Sequence, residues 1–359
     1  MLFPYKYVPH KMSKMQEFID FIFFEVWCQA PIGLVFHPDL FEGDLDLKEM
    51  MTDFGFSARA AQRGKTFYKD VKAIYELFAP LSPESIAQFQ HWYKSNNQIE
   101  KACVNDPAVD LVRYADIAVA YPDLSAQLKS FFQELYSQSL LDLAILRSKI
   151  GDIDEHYKNF VSVNDEEVCP YCGINLILGE NHTPRDAYDH YLPKVLYPFN
   201  SINFRNLAPA CHHCNSTYKG TKDPAHNLTG RRKFFNPYSE AAHTVQIQIK
   251  LDYANIGKLK PSDFRLDFGP TEFAEEIETW KELYGIQERY EAKICQKNVA
   301  KCWLEEVYGV AWRKNEKPAE VLNDKVEQAK LYPYVDCNFL KGPFLSACSE
   351  IGLVSVFPQ

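Results

Sequence analysis

The sequence predicts an α+β fold that is mostly α, in three parts. These are a helical N-terminal domain (1–160), a small turn-rich core (161–236) and a C-terminal extension of a small sheet plus helices (237–359). Apolar residues recur at three-to-four spacing in the first part. Paired cysteines sit among dense turn formers in the second, and polar–apolar alternation opens the third.

Each element follows from its residues. Phe18, Ile19, Ile22, Phe23 and Val26 predict an amphipathic helix over 15–30, with Phe21 and Phe24 widening its buried face and Pro31 and Gly33 ending it. Leu128, Phe131, Phe132 and Leu135 predict a second helix over 125–150, resuming less regularly at Leu140 and Leu143, with Pro122 and Asp123 where a start is expected. This part names no chemistry and reads as a scaffold or docking domain. In the core, Pro170, Gly173, Gly179, Pro184, Pro193, Pro198 and Pro209 leave room only for short strands. Beyond Pro237, alternating Val245, Ile247, Ile249 and Leu251 predict a half-buried strand over 243–253, and Phe264, Leu266 and Phe268 its hairpin partner. The stretch 272–313 reads as one long or two shorter helices with a break near Gly309. Pro318, Pro333 and Pro343 punctuate a less regular tail that ends in a short helix over 344–351.

Composition narrows the function classes. At 46% hydrophobic residues the chain has material for a core, which excludes disorder as its dominant state. A net charge of −9 excludes a uniformly basic coat, yet residues 181–235 carry eight Lys or Arg against three Asp, a local surplus where a phosphate backbone is expected to lie. The most apolar early run, 18–27, is too short for a bilayer and is broken by Asp20 and Glu25. The first residues lack the apolar segment of a signal peptide. A cytoplasmic protein without a membrane partner is expected. Six of the ten cysteines are scattered, which suits buried thiols rather than a disulfide scaffold.

The other four carry the strongest signal. Cys169-Pro-Tyr-Cys172 is followed, after 38 residues, by Cys211-His-His-Cys214. Four thiolates in two such knuckles form a tetrahedral set for Zn²⁺. His212 and His213 are competing ligands, but four sulfurs give symmetric knuckles. With every position filled by sulfur the zinc is structural, and it pins two segments together for another purpose. Between and after the knuckles lie Asp189-His190-Tyr-Leu-Pro193-Lys194, Asn206-Leu207 and Asn215. Hydrolysing a phosphodiester needs an activated water and a cation beside the phosphate. His190 titrates near neutrality and can take a proton from water. Asp189 and Asn215 offer hard oxygen donors suited to Mg²⁺ or Mn²⁺. Neighbours on a strand face opposite sides, so Asp189 and His190 share a site only if the strand ends or bends there.

At these residues the sequence resembles the HNH endonucleases, the zinc-supported branch of the ββα-metal nucleases, over roughly 65 to 75 residues. The resemblance implies a zinc-stapled ββα nuclease core with His190 as general base, Asp189 and Asn215 as ligands of the catalytic Mg²⁺ or Mn²⁺, and Asn206 orienting the His190 ring. Asn215 stands where the family commonly has His, which puts the metal affinity in question. Lys194, Lys219, Arg231, Arg232 and Lys233 are the expected phosphate contacts; for the Arg231–Lys233 run a solvated surface face is an equal reading. The substrate class is nucleic acid, DNA ahead of RNA. The contrasting reading is an inactive zinc module that binds nucleic acid or protein, which has no need of Asp189, His190 and Asn215 together. The DHYLPK and YP segments also resemble HNH subunits of bacterial anti-phage systems of the Septu type, in which the nuclease works beside an ATPase. That resemblance implies a partner docked on the flanking regions, since this chain has no Walker motif. Self-association is compatible with it.

Overall fold

The computed structural model describes residues 1–240, 244–252 and 255–354. It is mostly helical with small antiparallel sheets, as the sequence predicts. The helices before the core are α1 (Lys14–Phe21), α2 (Leu45–Phe56), α3 (Gln62–Phe78), α4 (Pro83–Asn97), α5 (Ile99–Cys103), α6 (Tyr114–Ala118), α7 (Pro122–Glu134), α8 (Gln138–Leu141), α9 (Ala144–Ile150) and α10 (Ile153–Val163). The core holds strands β1 (Tyr188–His190) and β2 (Leu207–Pro209), a short helix His213–Lys219, and the ribbon β3 (His226–Asn227) and β4 (Gly230–Arg231). Then come β5 (Gln246–Leu251), β6 (Phe264–Gly269), α11 (Ala274–Tyr284), α12 (Ile286–Cys295), α13 (Val299–Lys314), α14 (Pro318–Leu331) and α15 (Asn338–Glu350). No helix among the described residues is long and apolar enough to cross a membrane.

The first expected helix is real but changes pitch. After Phe21 it widens over Ile22–Trp27, where Cys28 N–H reaches back five residues to the Phe23 carbonyl at 2.9 Å. Ile22, Phe23, Val26 and Trp27 are all buried there. Gly33, at φ +89°, takes the left-handed conformation that closes the segment. The expected helix over 125–150 is three pieces, α7 to α9, because the chain turns at Tyr136 and restarts at Ser137, whose carbonyl accepts from Leu140 and Leu141 N–H.

The C-terminal hairpin matches its pattern: β5 alternates exposed and buried, and Leu251 pairs with Phe264 in antiparallel register. Of the residues expected in its first strand, His243 and Tyr253 lie outside the described residues. The stretch 272–313 holds three helices, and its breaks fall at Gly285 and at Asn298 rather than at Gly309. Gly285 (φ +60°) and Asn298 (φ +70°) take the left-handed conformation. Gly309 sits inside α13, whose buried Val307 and Ala311 hold it helical against glycine's poor propensity. The tail is more regular than expected. Pro318 starts α14 at its first position, and α15 runs through Pro343 because buried Leu340, Phe344, Leu345 and Cys348 pack it on β5 and α14.

One apolar core runs from Met1 to Val354 through all three segments. The N-terminal arm crosses the turn-rich core: Leu2 N–H donates to the Pro170 carbonyl at 2.8 Å, and the Tyr5 hydroxyl to the Pro209 carbonyl at 2.9 Å. Tyr188, Tyr191, Tyr197 and Phe199 are buried packing residues, as are Phe234, Phe235 and Tyr238.

Candidate active site and metal centre

The four cysteines converge. The sulfurs of Cys169, Cys172, Cys211 and Cys214 all lie within 4.8 Å of one another and are buried. Ligands about 2.3 Å from one tetrahedral zinc stand about 3.8 Å apart, so the cluster fits a zinc ion. The first knuckle is a miniature hairpin, with Val168 bridged to Leu176 and Gly173 N–H on the Cys169 carbonyl at 2.7 Å. Gly173 has φ +64°, and a Cβ there would meet Leu2 Cδ1 at 2.3 Å, so only glycine closes this turn. The C-terminal helices hold the knuckle from outside. Trp280 Nε1 donates to the Tyr171 carbonyl at 2.8 Å and the Tyr290 hydroxyl to the Cys172 carbonyl at 3.0 Å. Two donors reach the sulfurs: Asn175 Nδ2 to Cys211 at 3.4 Å and Arg289 Nη1 to Cys214 at 3.2 Å. His212 and His213 are exposed and outside the sulfur cluster.

The second knuckle leads into the short helix, whose turns are wide: Gly220 N–H reaches the Asn215 carbonyl five residues back at 2.9 Å. Beside it β1 and β2 pair antiparallel, Tyr188 opposite Pro209, Asp189 opposite Ala208 and His190 opposite Leu207. Asp189 and His190 have different direct partners, but β1 ends at His190, which meets the condition on which the two can serve one site. Asp189 faces inward. Its Oδ1 accepts from Lys219 Nζ at 2.8 Å in a pair whose side chains are 2% and 0% exposed, and Lys219 also donates to the His190 carbonyl at 2.9 Å. Burial raises the Asp189 carboxyl above its usual value, opposed by Lys219.

His190 is half-buried at the end of β1. Its Nε2 lies 3.0 Å from the Ser201 carbonyl, and its ring meets that of Tyr136 edge-to-face, centroids 4.9 Å apart. Burial, then the Lys194 charge, push the imidazole well below its usual value, so the ring is neutral near pH 7. The Ser201 carbonyl is placed by the helical segment. Asn96 Nδ2 holds the Val112 and Pro198 carbonyls, Asn97 Nδ2 the Phe199 carbonyl, and Asn200 Nδ2 the Asn96 carbonyl. These contacts, with burial among Phe23, Tyr93 and Phe132, keep Phe199 at φ +79°, a conformation a bulky residue rarely takes.

Asn206 differs from its expected role. Its side chain is buried and joins the two ends of the loop, accepting from Leu192 N–H at 2.7 Å and donating to the Leu192 and Asn200 carbonyls. It reaches the His190 ring only through that loop; the ring's direct partner is Ser201.

The expected phosphate contacts are largely spent inside the protein. Lys219 is sealed against Asp189 and has no free charge for a phosphate. Arg231 Nη1 caps the Asp106 and Val109 carbonyls, and buried Arg232 pairs with Glu282. Lys194 Nζ donates to the Gln133 carbonyl at 2.9 Å. Among the described residues only the Lys233 side chain of this set has no partner. The reason is shared: a basic surplus read from sequence counts charges without the carbonyls and carboxylates that the fold turns toward them. Arg185 and Arg205, in ion pairs with Asp154 and Glu100 near the surface, keep more access to solvent.

The hard donors for a divalent metal fit less completely than the sulfurs fit zinc. One oxygen of Asp189 is taken, but Oδ2 is buried without any partner, and the Asn215 amide, one turn before Lys219, has none among the described residues. A bare carboxylate oxygen and an amide oxygen are the chemistry that Mg²⁺ or Mn²⁺ takes. Sequence reasoning missed Tyr136, Ser201, Arg289 and Asn175. Asn175 lies close to a knuckle cysteine and could have been flagged; the others carry no local signal.

Fold and site together define a class: a buried four-cysteine cluster that fits a zinc ion, beside a two-strand antiparallel pair and a short helix, with a histidine at the strand end. Over 64 residues the chain is 36% identical to the Septu protein PtuB of Bacillus thuringiensis. The match takes in 17% of this chain and 24% of that protein, so the chain spans about a quarter of the length of the curated relative it matches. No family model matches the chain, and no solved structure matches it.

Proposed function

We propose that the chain is a metal-dependent endonuclease of the HNH type that hydrolyses phosphodiester bonds of DNA and serves in defence against phage. The observation that carries this reading is the β1–β2 pair beside the four-cysteine centre, which ends on an imidazole with one nitrogen committed to a backbone carbonyl. With Nε2–H donating to Ser201, Nδ1 keeps the lone pair, so the neutral His190 ring can take a proton from water, as a weaker base than a free imidazole because burial and Lys194 lower its value. Asp189 and Asn215 are the residues that would hold Mg²⁺ or Mn²⁺. Such an ion, when bound, supplies positive charge to the phosphate and the leaving oxygen. Lys219 orients Asp189, and Asn206 fixes the loop that delivers Ser201. A zinc held by Cys169, Cys172, Cys211 and Cys214 would have every position filled by sulfur and would serve a structural role.

Similarity to the Septu protein supports the defence setting. An ATPase partner docked on the flanking helices, and a cytoplasmic location, belong to the same proposal; any nucleotide hydrolysis would come from that partner.

The test is cleavage of supercoiled plasmid and, separately, of tRNA by the zinc-loaded chain with Mg²⁺ or Mn²⁺, against EDTA and His190→Ala. Loss of the base is expected to slow plasmid cleavage roughly 10²–10⁴-fold. Undiminished cutting by the variant rejects His190 as base, and cutting of tRNA alone moves the substrate to RNA. No cutting of either, alone or with the products of neighbouring genes, leaves the inactive zinc module.

A further inference from the structure

We propose that the turn between α7 and α8 is a clamp on the exit of β1, in which the Tyr136 ring is a positioning residue for His190 and Lys194 is the second hold. The catalytic meaning of the clamp rests on the nuclease reading above; the contacts do not.

Two contacts cross from the helical segment to the site here. The Tyr136 ring stands at 89° to the imidazole plane with centroids 4.9 Å apart. Four residues past His190, Lys194 Nζ reaches back to the Gln133 carbonyl at 2.9 Å, in the last turn of α7, and lies 6.0 Å from the Tyr136 ring centroid. The carbonyls ending a helix have no partner within it and carry partial negative charge, so an ammonium is held there by both effects. The strand exit is therefore gripped on either side of its turn.

The division of labour at His190 follows from geometry. An imidazole on a strand end has two side-chain torsions to fix. The Ser201 carbonyl fixes where Nε2 points, and an aromatic wall set perpendicular to the ring opposes rotation out of that plane. The phenol oxygen of Tyr136 is buried with no hydrogen-bond partner, so the ring, not the hydroxyl, is what the site uses. The break between α7 and α8 is what lets a helical segment with no metal ligand of its own deliver this ring. A consequence is regulatory: whatever binds or shifts α7 and α8 acts on the angle of the proposed base.

The experiment uses the full zinc-loaded chain with isotope-labelled histidine, the His190 signal assigned by its loss in His190→Ala. Tyr136→Leu is expected to move the His190 ring signals and to lower kcat about 10²-fold with KM unchanged, the cost of a misaligned reacting group. Tyr136→Phe restores both to the wild-type values. Tyr136→Met moves the His190 signals in the same direction as Tyr136→Leu and carries the test if the leucine variant does not fold, since a Lys194 variant would move them through its lost charge alone. Unmoved His190 signals in Tyr136→Leu, or in Tyr136→Met where that variant stands in, overturn the clamp. So does a Tyr136→Phe variant that behaves like Tyr136→Leu, since the hydroxyl would then be the working group. If the wild-type chain cuts nothing, alone or with the products of neighbouring genes, the nuclease reading falls while the spectra still decide the clamp.

Discussion

Replacing Lys219 with methionine keeps most of the apolar stem of the side chain and removes the ammonium, with its charge and its hydrogen-bond donors. The ammonium pairs with Asp189 at 2.8 Å and donates to the His190 carbonyl at 2.9 Å. The two side chains are 0% and 2% exposed, so water cannot take the ammonium's place. Breaking a buried pair by removing one partner costs about 3–5 kcal/mol, and the lost bond to the carbonyl about 1 kcal/mol more. The expected loss at pH 8 is thus about 4–6 kcal/mol, read from urea unfolding of the zinc-loaded protein. Two internal checks follow. Lys219→Met combined with Asp189→Asn leaves no buried charge and should recover most of the loss. The single variant should also suffer less at pH 5. Burial already raises the Asp189 carboxyl, and Lys219 is what opposes it. Without Lys219 the folded-state value rises further above the unfolded one, so stability grows as pH falls through it. A Lys219→Met protein within about 1 kcal/mol of wild type at pH 8, or a double variant no better than the single, would refute the buried-pair argument.

Two other outcomes are expected. Arg289→Met removes the donor to Cys214 and the cation 4.5 Å from the Tyr218 ring centroid, and should weaken zinc retention about 10–100-fold in a chelator competition; unchanged retention would show that the guanidinium serves packing alone. Buried His156, whose Nδ1 meets the Tyr188 hydroxyl, is pushed down to about 4, chiefly by burial and then by His10. Its folded-state value lies below the unfolded one, so its contribution is complete above about pH 6.5 and is lost as pH falls to about 4, by up to roughly 3 kcal/mol. Unfolding of His156→Gln should depend less steeply on pH across that window, and an identical slope would assign the acid sensitivity elsewhere.

Periodicity and spacing, by themselves, determined much of this protein. The two Cys-x-x-Cys knuckles announced their cluster because ligand spacing within a tight turn is a local property. The alternation at Val245–Leu251 announced its strand because side-chain period is set by one residue's neighbours. Helix breaks at Tyr136, Gly285 and Asn298 were not legible, since each depends on which distant surface the flanking residues bury. The tertiary structure alone decided the fate of the charges. Lys219, Lys194, Arg231 and Arg232 read as a phosphate-facing set in one dimension. In three, each meets a carboxylate or carbonyl dozens of residues away, except Arg232, which also meets carbonyls close by. The same holds for His190. Its place at a strand end could be argued from Pro193, but Ser201 and Tyr136, which set its angle, are brought there by helices whose sequence carries no chemical motif. Local spacing is written in the chain, while the dielectric and partners around a charge exist only after long-range packing has excluded water.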